Sequence, residues 1–307
     1  MTRVFIDGSA GTTGLRLAAR LHERRDIELL TLPEDKRKDP EARKEIMNRA
    51  DIVFLCLPDA AAIESVALID NPATAVIDTS TAHRTAEGWT YGFPELTGQR
   101  DKIAGSRGVA NPGCHASGVI ALLYPLIHTG ILEPDTPLSC FSLTGYSGGG
   151  KKMIAEYDSE TRSPLLDAPR MYGISQNHKH LPEIVRVCGL KQAPLFFPVV
   201  GDFYSGMEVI IGLHASQLKG PATDLLDLYR SFYPGPIIHA DANADESGFL
   251  SAAAFSGRDD LQITVTGGNE RIVLTARFDN LGKGASGAAL QNMNILMGVP
   301  ETTGLIL

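Results

Sequence analysis

The sequence contains no CxxC pair, no block of Lys and Arg, and no run of the roughly 18 apolar residues that a membrane span needs. Its four cysteines, Cys56, Cys114, Cys140 and Cys188, lie far apart. That spacing excludes a disulfide framework and a zinc site, so no metal is expected. The start, Met1 to Gly11, reaches glycine within a few residues and has no apolar stretch of the signal-peptide kind. The expectation is a reduced, cytoplasmic protein with at least one thiol able to react. Net charge is -8, with no basic stripe, which argues against nucleic acid or an anionic membrane as partner. What is present is an ordinary globular composition, 43% hydrophobic over 307 residues, a length that suits two domains.

The first third alternates strand and helix patterns. Short apolar runs at 3–7, 27–30, 51–57 and 75–78 are separated by helical patterns at 15–25, 40–49 and 60–68. Such alternation predicts an α/β, Rossmann-type parallel sheet with helices on both faces. From about Pro137 the pattern changes. Strand-like runs at 138–143, 195–200, 207–213, 237–239, 262–266 and 271–278 have few helices between them, apart from one near 222–232. This predicts a second, α+β domain built on a mixed or antiparallel sheet. An alanine-rich helical tail runs over 284–298.

Between the first strand and first helix stands Gly8-x-x-Gly11-x-x-Gly14. A diphosphate reaches the backbone only where side chains are absent, and a helix N-terminus offers it amide donors and partial positive charge. Gly8, Ser9, Gly11, Thr12, Thr13 and Gly14 are therefore cofactor-binding candidates. The second strand ends in Leu29-Leu30-Thr31 without the carboxylate that holds NAD ribose hydroxyls, and Lys36, Arg37 and Lys38 follow. NADP is expected over NAD, with Lys36 near its extra phosphate.

Asn111-Pro112-Gly113-Cys114 precedes an apolar helical run, which places Cys114 at a helix N-terminus. Unpaired amides and the helix dipole there favour thiolate, the nucleophilic form, and can also hold an oxyanion. The local pattern leaves open a second reading, a small buried hydrophobe. Cys56, Cys140 and Cys188 sit in apolar surroundings and read as structural. Ser147-Gly148-Gly149-Gly150-Lys151-Lys152 reads as a glycine-rich turn with cations, able to cradle a phosphate or carboxylate through Ser147, Gly148 and Lys151. Arg84 and Arg107 are anion-binding candidates or surface ion pairs.

Several segments together resemble the compact type of N-acetyl-gamma-glutamyl-phosphate reductase, within the acyl-phosphate reductase and semialdehyde dehydrogenase superfamily. They are the glycine turn, Asp78 to Arg84, Tyr91 to Leu96, Ala110 to Cys114, Asn177 to Glu183, Asp279 to Gly287 and Gln291-Asn292, in order along nearly the whole chain. His115 departs from the commoner form, which has Tyr there. The resemblance implies NADPH-dependent reduction of N-acetyl-glutamyl 5-phosphate to the 5-semialdehyde, in arginine biosynthesis, through a thioester on Cys114. It implies that one of His178 and His180 is the acid/base, with His180 preferred, and that the other meets substrate. Glu183 either orients the pair or starts a helix. Asn280, Lys283 and Gly284 are expected near the cofactor, so that 1–113 with 284–307 form the dinucleotide-binding domain and 114–283 the catalytic and oligomerisation domain. The partners expected are a small acyl phosphate and a second copy of the chain, as dimer or tetramer. Rival readings are aspartate-semialdehyde dehydrogenase, an aminoadipyl-phosphate reductase, a cysteine hydrolase, and an NADP-binding redox sensor. A sensor has no use for the paired histidines, and a hydrolase has none for the glycine turn.

Overall fold

The computed structural model describes all 307 residues, which divide into two compact units. Unit 1 comprises Met1–Pro112 with Ala285–Leu305, and unit 2 comprises Gly113–Gly284 with Ile306–Leu307.

Unit 1 begins β1 (Thr2–Asp7), α1 (Thr12–His22), β2 (Ile27–Leu30), α2 (Pro40–Arg49), β3 (Ile52–Leu55), α3 (Asp59–Ala67) and β4 (Ala75–Asp78). It continues with β5 (Thr90–Tyr91), α4 (Gln99–Ala104) and β6 (Gly108–Ala110). The six strands form one parallel sheet in the order β2-β1-β3-β4-β6-β5. Side chains alternate between its faces, as the two-residue strand period requires. Val4, Ile6, Ile52, Phe54, Ile77 and Val109 face one cluster, with Leu17 and Leu21 of α1. Phe5, Val53, Leu55 and Val76 face the other, with Ile46 and Met47 of α2. Helix α2 starts at Pro40 because Asp39 caps it, accepting from the amides of Glu41 (3.0 Å) and Ala42 (3.4 Å). Phe54 is fully buried in the first cluster, so Phe54→Ala is expected to cost about 3–5 kcal/mol. The urea unfolding midpoint reads this directly; a loss below about 1 kcal/mol would contradict such a packed face.

Unit 2 holds α5 (Cys114–His128), β7 (Ser139–Gly145), α6 (Gly150–Tyr157), β8 (Arg170–Met171), α7 (Leu181–Cys188), β9 (Leu195–Gly201) and β10 (Met207–His214). Then follow α8 (Leu225–Phe232), β11 (Ile238–Ala240), β12 (Leu261–Gly267) and β13 (Arg271–Phe278). The sheet is mixed, in the order β11-β12-β13-β10-β7-β9-β8. Its β11–β12 and β7–β9 pairs are parallel and the others antiparallel. Helix α5 is apolar nearly all round and accordingly buried along most of its length. Pro125 interrupts it and cannot donate to Ala121; the hydroxyl of Tyr233 donates to that carbonyl instead (3.2 Å), and Tyr229 donates to Leu122 (2.6 Å). The segment read from sequence as a glycine-rich turn is a short 3-10 turn, Tyr146–Gly149, that leads straight into α6. Lys151 and Lys152 are thus exposed helical residues rather than loop cations.

A π-helical turn, Gly282–Ser286, returns the chain to unit 1 as α9 (Gly287–Met297). Ala289, Leu290 and Met293 complete the Phe54 cluster. This is why the end of the chain belongs to the first sheet's core. No helix is long and apolar enough to cross a membrane.

Candidate active site

The turn from β1 into α1 is shaped by its missing side chains. Gly8 has φ +86°, and a Cβ there would stand 2.3 Å from the Cys56 carbonyl oxygen. A Cβ on Gly14 would stand 2.5 Å from the Gly8 carbonyl oxygen. Gly11 differs: its Cβ would meet nothing closer than 3.5 Å. It is also the N-cap of α1, no side chain caps the helix, and the first turn carries no acid. The first intrahelical donor is Leu15, to Gly11, so the amides of Thr12, Thr13 and Gly14 have no acceptor within the helix. The Thr12 Oγ1 is buried without a hydrogen-bond partner. Open space, unmatched donors and the positive helix end fit an anionic diphosphate. The β2 strand ends at Leu30 without a carboxylate, and Lys36 lies exposed on a 3-10 turn, Glu34–Lys36.

The segment before Cys114 is anchored within unit 1. Asn111 is buried, and its Nδ2 donates to the Ala285 carbonyl (3.0 Å). Asn292 of α9 donates to the Gly92 carbonyl (2.9 Å) and to Asn111 Oδ1 (3.2 Å). Arg84 donates from Nε to the Asn111 carbonyl (2.9 Å) and from Nη2 to the Thr79 carbonyl (3.1 Å). It therefore ties the end of β4 to the loop that ends in Cys114. Arg107 needs a correction as a substrate-binding candidate. It immediately precedes β6, at the N-terminal edge of the parallel sheet, whereas the glycine turn follows β1 at the C-terminal edge. Its guanidinium donates to the carbonyls of Thr74, Ile69 and Asn71, and so closes off the end of α3.

In unit 2, Cys114 is the first residue of α5, and its N-cap, Gly113, has no capping side chain. The first intrahelical donor is Ser117, to Gly113 (2.8 Å), so the amides of Cys114, His115 and Ala116 face out of the helix end. Glu183, buried in the first turn of α7, accepts from the Gly113 amide (3.1 Å) and so fixes the helix start. Glu183→Ala leaves that buried donor unmatched. The variant is expected to lose about 1–3 kcal/mol of stability and Glu183→Gln less than about 1; denaturation of the two side by side tests this, and equal losses would count against the contact. On the other side of Cys114 lies the π-helical turn, where a Cβ on Gly284 would stand 2.9 Å from the Cys114 Cβ. Asp279, fully buried, holds that turn by accepting from Leu281 (2.9 Å) and Gly257 (2.7 Å). Lys283 is buried in the same turn. Asn280 is engaged at both ends of its amide: Oδ1 accepts from Gly206 (2.9 Å), and Nδ2 donates to Ser147 Oγ (3.0 Å).

Three imidazoles gather at His115, the residue that follows Cys114. His178 and His180, which precede α7, stand with ring centres 4.8 Å apart, and both pack on His115, at 5.4 and 5.5 Å. The His115 Nδ1 lies 2.6 Å from Ser142 Oγ and its Nε2 lies 2.5 Å from the Tyr172 hydroxyl. Burial, with the positive charge of His178 and Lys179, pushes His115 down to about 3, so it is neutral at working pH. Burial pushes the Tyr172 phenol up, as does charge on Cys114. Desolvation pushes the Cys56 thiol up to about 12, and Cys140 and Cys188 rise for the same reason. Only Cys114 of the four starts a helix.

The structure thus packs His178 and His180 on His115, the neighbour of Cys114, and sets Glu183 on the Gly113 amide, with Gly284 and Lys283 in the adjoining turn. Gly8, Ser9, Gly11, Thr12, Thr13 and Gly14 form the turn in unit 1. Sequence reasoning misses Tyr172 and Ser142, marks Asp279 only as the start of a family-resembling segment without a role, and marks His115 only as a departure from the commoner family form. Adjacency to the cysteine was the one signal available for His115. Tyr172 comes in through the pairing of β8 on β9, for which the sequence gives no local sign.

A family profile described as semialdehyde dehydrogenase, NAD binding domain, matches residues 3–106, and one described as semialdehyde dehydrogenase, dimerisation domain, matches residues 114–280. N-acetyl-gamma-glutamyl-phosphate reductase 2 from a Nostoc species is 44% identical over 99% of each chain. The chain belongs to this reductase family. A Chelativorans member, named N-acetyl-gamma-glutamyl-phosphate reductase, is 45% identical over 96% of this chain and 98% of its own. Among solved structures, aspartate semialdehyde dehydrogenase II of Vibrio cholerae superposes with TM-score 0.72 at 16% identity, covering 97% and 98% of the two chains. Aspartate semialdehyde dehydrogenase with NADP from Candida albicans gives 0.68 at 16%, covering 96% and 100%. These two share the fold of this reductase family member.

Proposed function

We propose that this reductase family member converts N-acetyl-glutamyl 5-phosphate to N-acetyl-glutamate 5-semialdehyde with NADPH, the step its relatives are named for, in arginine biosynthesis. The observation that carries the reading is Cys114 at the uncapped start of α5, next in sequence to His115, on which His178 and His180 pack. The helix amides favour its thiolate. The sulfur attacks the acyl carbonyl, the acyl–phosphate bond breaks, and phosphate leaves, giving a thioester. The same amides hold the oxyanion that develops on the carbonyl oxygen. NADPH, when bound, supplies the hydride that the thioester carbonyl accepts. His180 handles the proton of the resulting hydroxyl as the thiohemiacetal collapses to aldehyde and thiol, while His178 meets the substrate.

Residues 1–113 with 284–307 serve as the dinucleotide-binding domain, in which Gly8, Ser9, Gly11, Thr12, Thr13 and Gly14 would hold the diphosphate. Lys36 would meet the 2′-phosphate, since β2 offers no carboxylate to the ribose. Residues 114–283 serve as the catalytic and oligomerisation domain. The apolar outer positions of its sheet, Phe141, Met171 and Leu195, are 38%, 51% and 56% exposed, and suit association with a second copy. The protein is proposed to work in the cytoplasm. The test of function is phosphate-dependent oxidation of N-acetyl-glutamate semialdehyde, followed by the absorbance of the reduced nicotinamide, with NADP against NAD and with aspartate semialdehyde as rival. Faster turnover of aspartate semialdehyde would overturn the reading.

A further inference from the structure

Asp7 is the last residue of β1 and is buried, so a carboxylate stands one residue before the glycine turn. The root of that turn is tightly drawn. The Asp7 carbonyl accepts from Cys56 (2.8 Å), and the Gly8 carbonyl accepts from Gly11 (3.0 Å). A Cβ on Gly14 would stand 2.5 Å from the same Gly8 oxygen. Gly8 therefore lies against the first turn of α1, and the Asp7 carboxylate lies on the order of 10 Å from an anion held there. At an effective dielectric of about 20, a unit charge at that distance changes the binding of another by roughly tenfold. Left alone, Asp7 would oppose a diphosphate on this turn.

One cation meets it. Arg43 of α2 donates from Nη2 to Asp7 Oδ2 (2.7 Å) and to Ser65 Oγ (2.5 Å). Ser65 of α3, fully buried, lies 2.9 Å from the same carboxylate oxygen. The Arg43 and Asp7 side chains are 15% and 6% exposed, so solvent does little to screen the pair. Nothing local to α2 explains a cation at this place. Arg43 is the fourth residue of the helix, near the positive end of its dipole. Its Nε is enclosed without a hydrogen-bond partner, which also costs stability. The other cations of α2, Lys44 and Arg49, pair with Asp70 and Glu45.

We propose that Arg43 is a positioning residue for the cofactor: through Asp7 it cancels the charge at the root of the glycine turn, so that a diphosphate lies on the start of α1 with no uncompensated carboxylate beneath it. Asp7 serves as the anchor on which α2 and α3 converge, and Arg43 keeps that anchor from repelling the ligand. The action is through charge and not contact. It therefore applies equally to NADPH and NADH, which share the diphosphate. The proposal rests on the glycine turn holding the dinucleotide, as in the function proposed above, and not on the identity of the acyl group.

The test is fluorescence titration of the purified full chain with NADPH and with NADH, with urea unfolding of each variant alongside. Arg43→Met leaves the carboxylate uncompensated and is expected to weaken both nucleotides about tenfold. Asp7→Asn keeps the side chain's shape and an acceptor for Arg43 but leaves the cation uncompensated. It is expected to bind both nucleotides about threefold to tenfold more tightly. The double variant is expected to return to within about threefold of wild type. A pair that only holds the fold together predicts looser binding in Asp7→Asn and no such return. Binding by Asp7→Asn that is unchanged or weaker, or a double variant as weak as Arg43→Met, would overturn the proposal. So would a loss in Arg43→Met confined to NADPH, which would mean that Arg43 meets the 2′-phosphate directly. Should Arg43→Met not fold, because its buried carboxylate has lost its partner, Asp7→Asn and the double variant decide between them. Asp7→Asn is then expected to be the tighter, and equal affinity overturns the proposal. Nucleotide binding needs no acyl substrate, so a chain that ignores N-acetyl-glutamate semialdehyde would defeat the proposed function and leave this result standing. A wild-type chain that binds neither nucleotide would defeat both.

Discussion

Cys114→Ser is expected to lower turnover of the acyl phosphate by roughly four orders of magnitude, as removal of a covalent nucleophile does elsewhere, while binding of NADPH to the purified variant stays within about twofold of wild type. The size of the effect follows from the acid strength of the two groups. A thiol at a helix N-terminus ionises near working pH, whereas a serine hydroxyl there stays protonated and has no strong base committed to it. No other cysteine can take over. Cys140 and Cys188 are buried, and desolvation raises both thiols, as it raises Cys56 to about 12. Steady-state kinetics and a nucleotide titration on one preparation decide the matter. A variant that kept roughly a tenth of wild-type turnover would remove the thioester from the mechanism. Loss of NADPH binding together with turnover would point to a folding defect instead.

The sequence marked the proposed nucleophile's helix start and the histidine pair, but not Ser142 or Tyr172, for a physical reason. Helix starts carry local signatures, and the Pro112-Gly113 turn before an apolar run is one of them. The parallel sheet was legible in the same way, because a buried strand and its capped helix each leave a periodic trace, as Asp39 and Pro40 do for α2. Short elements leave none. The two residues of β8 carry no period, yet pairing on β9 is what brings Tyr172 to His115 across 57 positions. The three residues of β6 were not recognised as a strand. Arg107 could therefore not be placed at the N-terminal edge of the sheet, and it read as an anion site instead of a carbonyl clamp. Three consecutive glycines, Gly148 to Gly150, likewise hid the start of α6 and turned its lysines into apparent loop cations. Asn280 and Ser147 were each singled out as ligand contacts; in the structure they bond to one another.

Alanine at Gly11 and at Gly14 separates what the fold needs from what the cofactor needs. A Gly14 Cβ would lie 2.5 Å from the Gly8 carbonyl oxygen and 2.9 Å from the Ser9 Cα. An exposed helical Gly→Ala change ordinarily gains up to about 1 kcal/mol, but here backbone must move, so the sign reverses. Gly14→Ala is expected to cost about 1–3 kcal/mol of stability and to weaken NADPH binding about a hundredfold through the displaced turn. Gly11 has an ordinary backbone, φ -73°, and its Cβ would meet only the Gly8 and Cys56 carbonyl oxygens, at 3.5 and 3.7 Å. The protein itself therefore tolerates alanine there, and stability should stay within about 0.5 kcal/mol of wild type. If the diphosphate lies against the start of α1, the new methyl group occupies space that the ligand uses. NADPH binding should then weaken about tenfold or more in Gly11→Ala although the fold is untouched. Thermal unfolding and fluorescence titration of the two variants read both quantities. Unchanged affinity in Gly11→Ala would mean that the dinucleotide does not approach this helix start, however well the glycine spacing suits it.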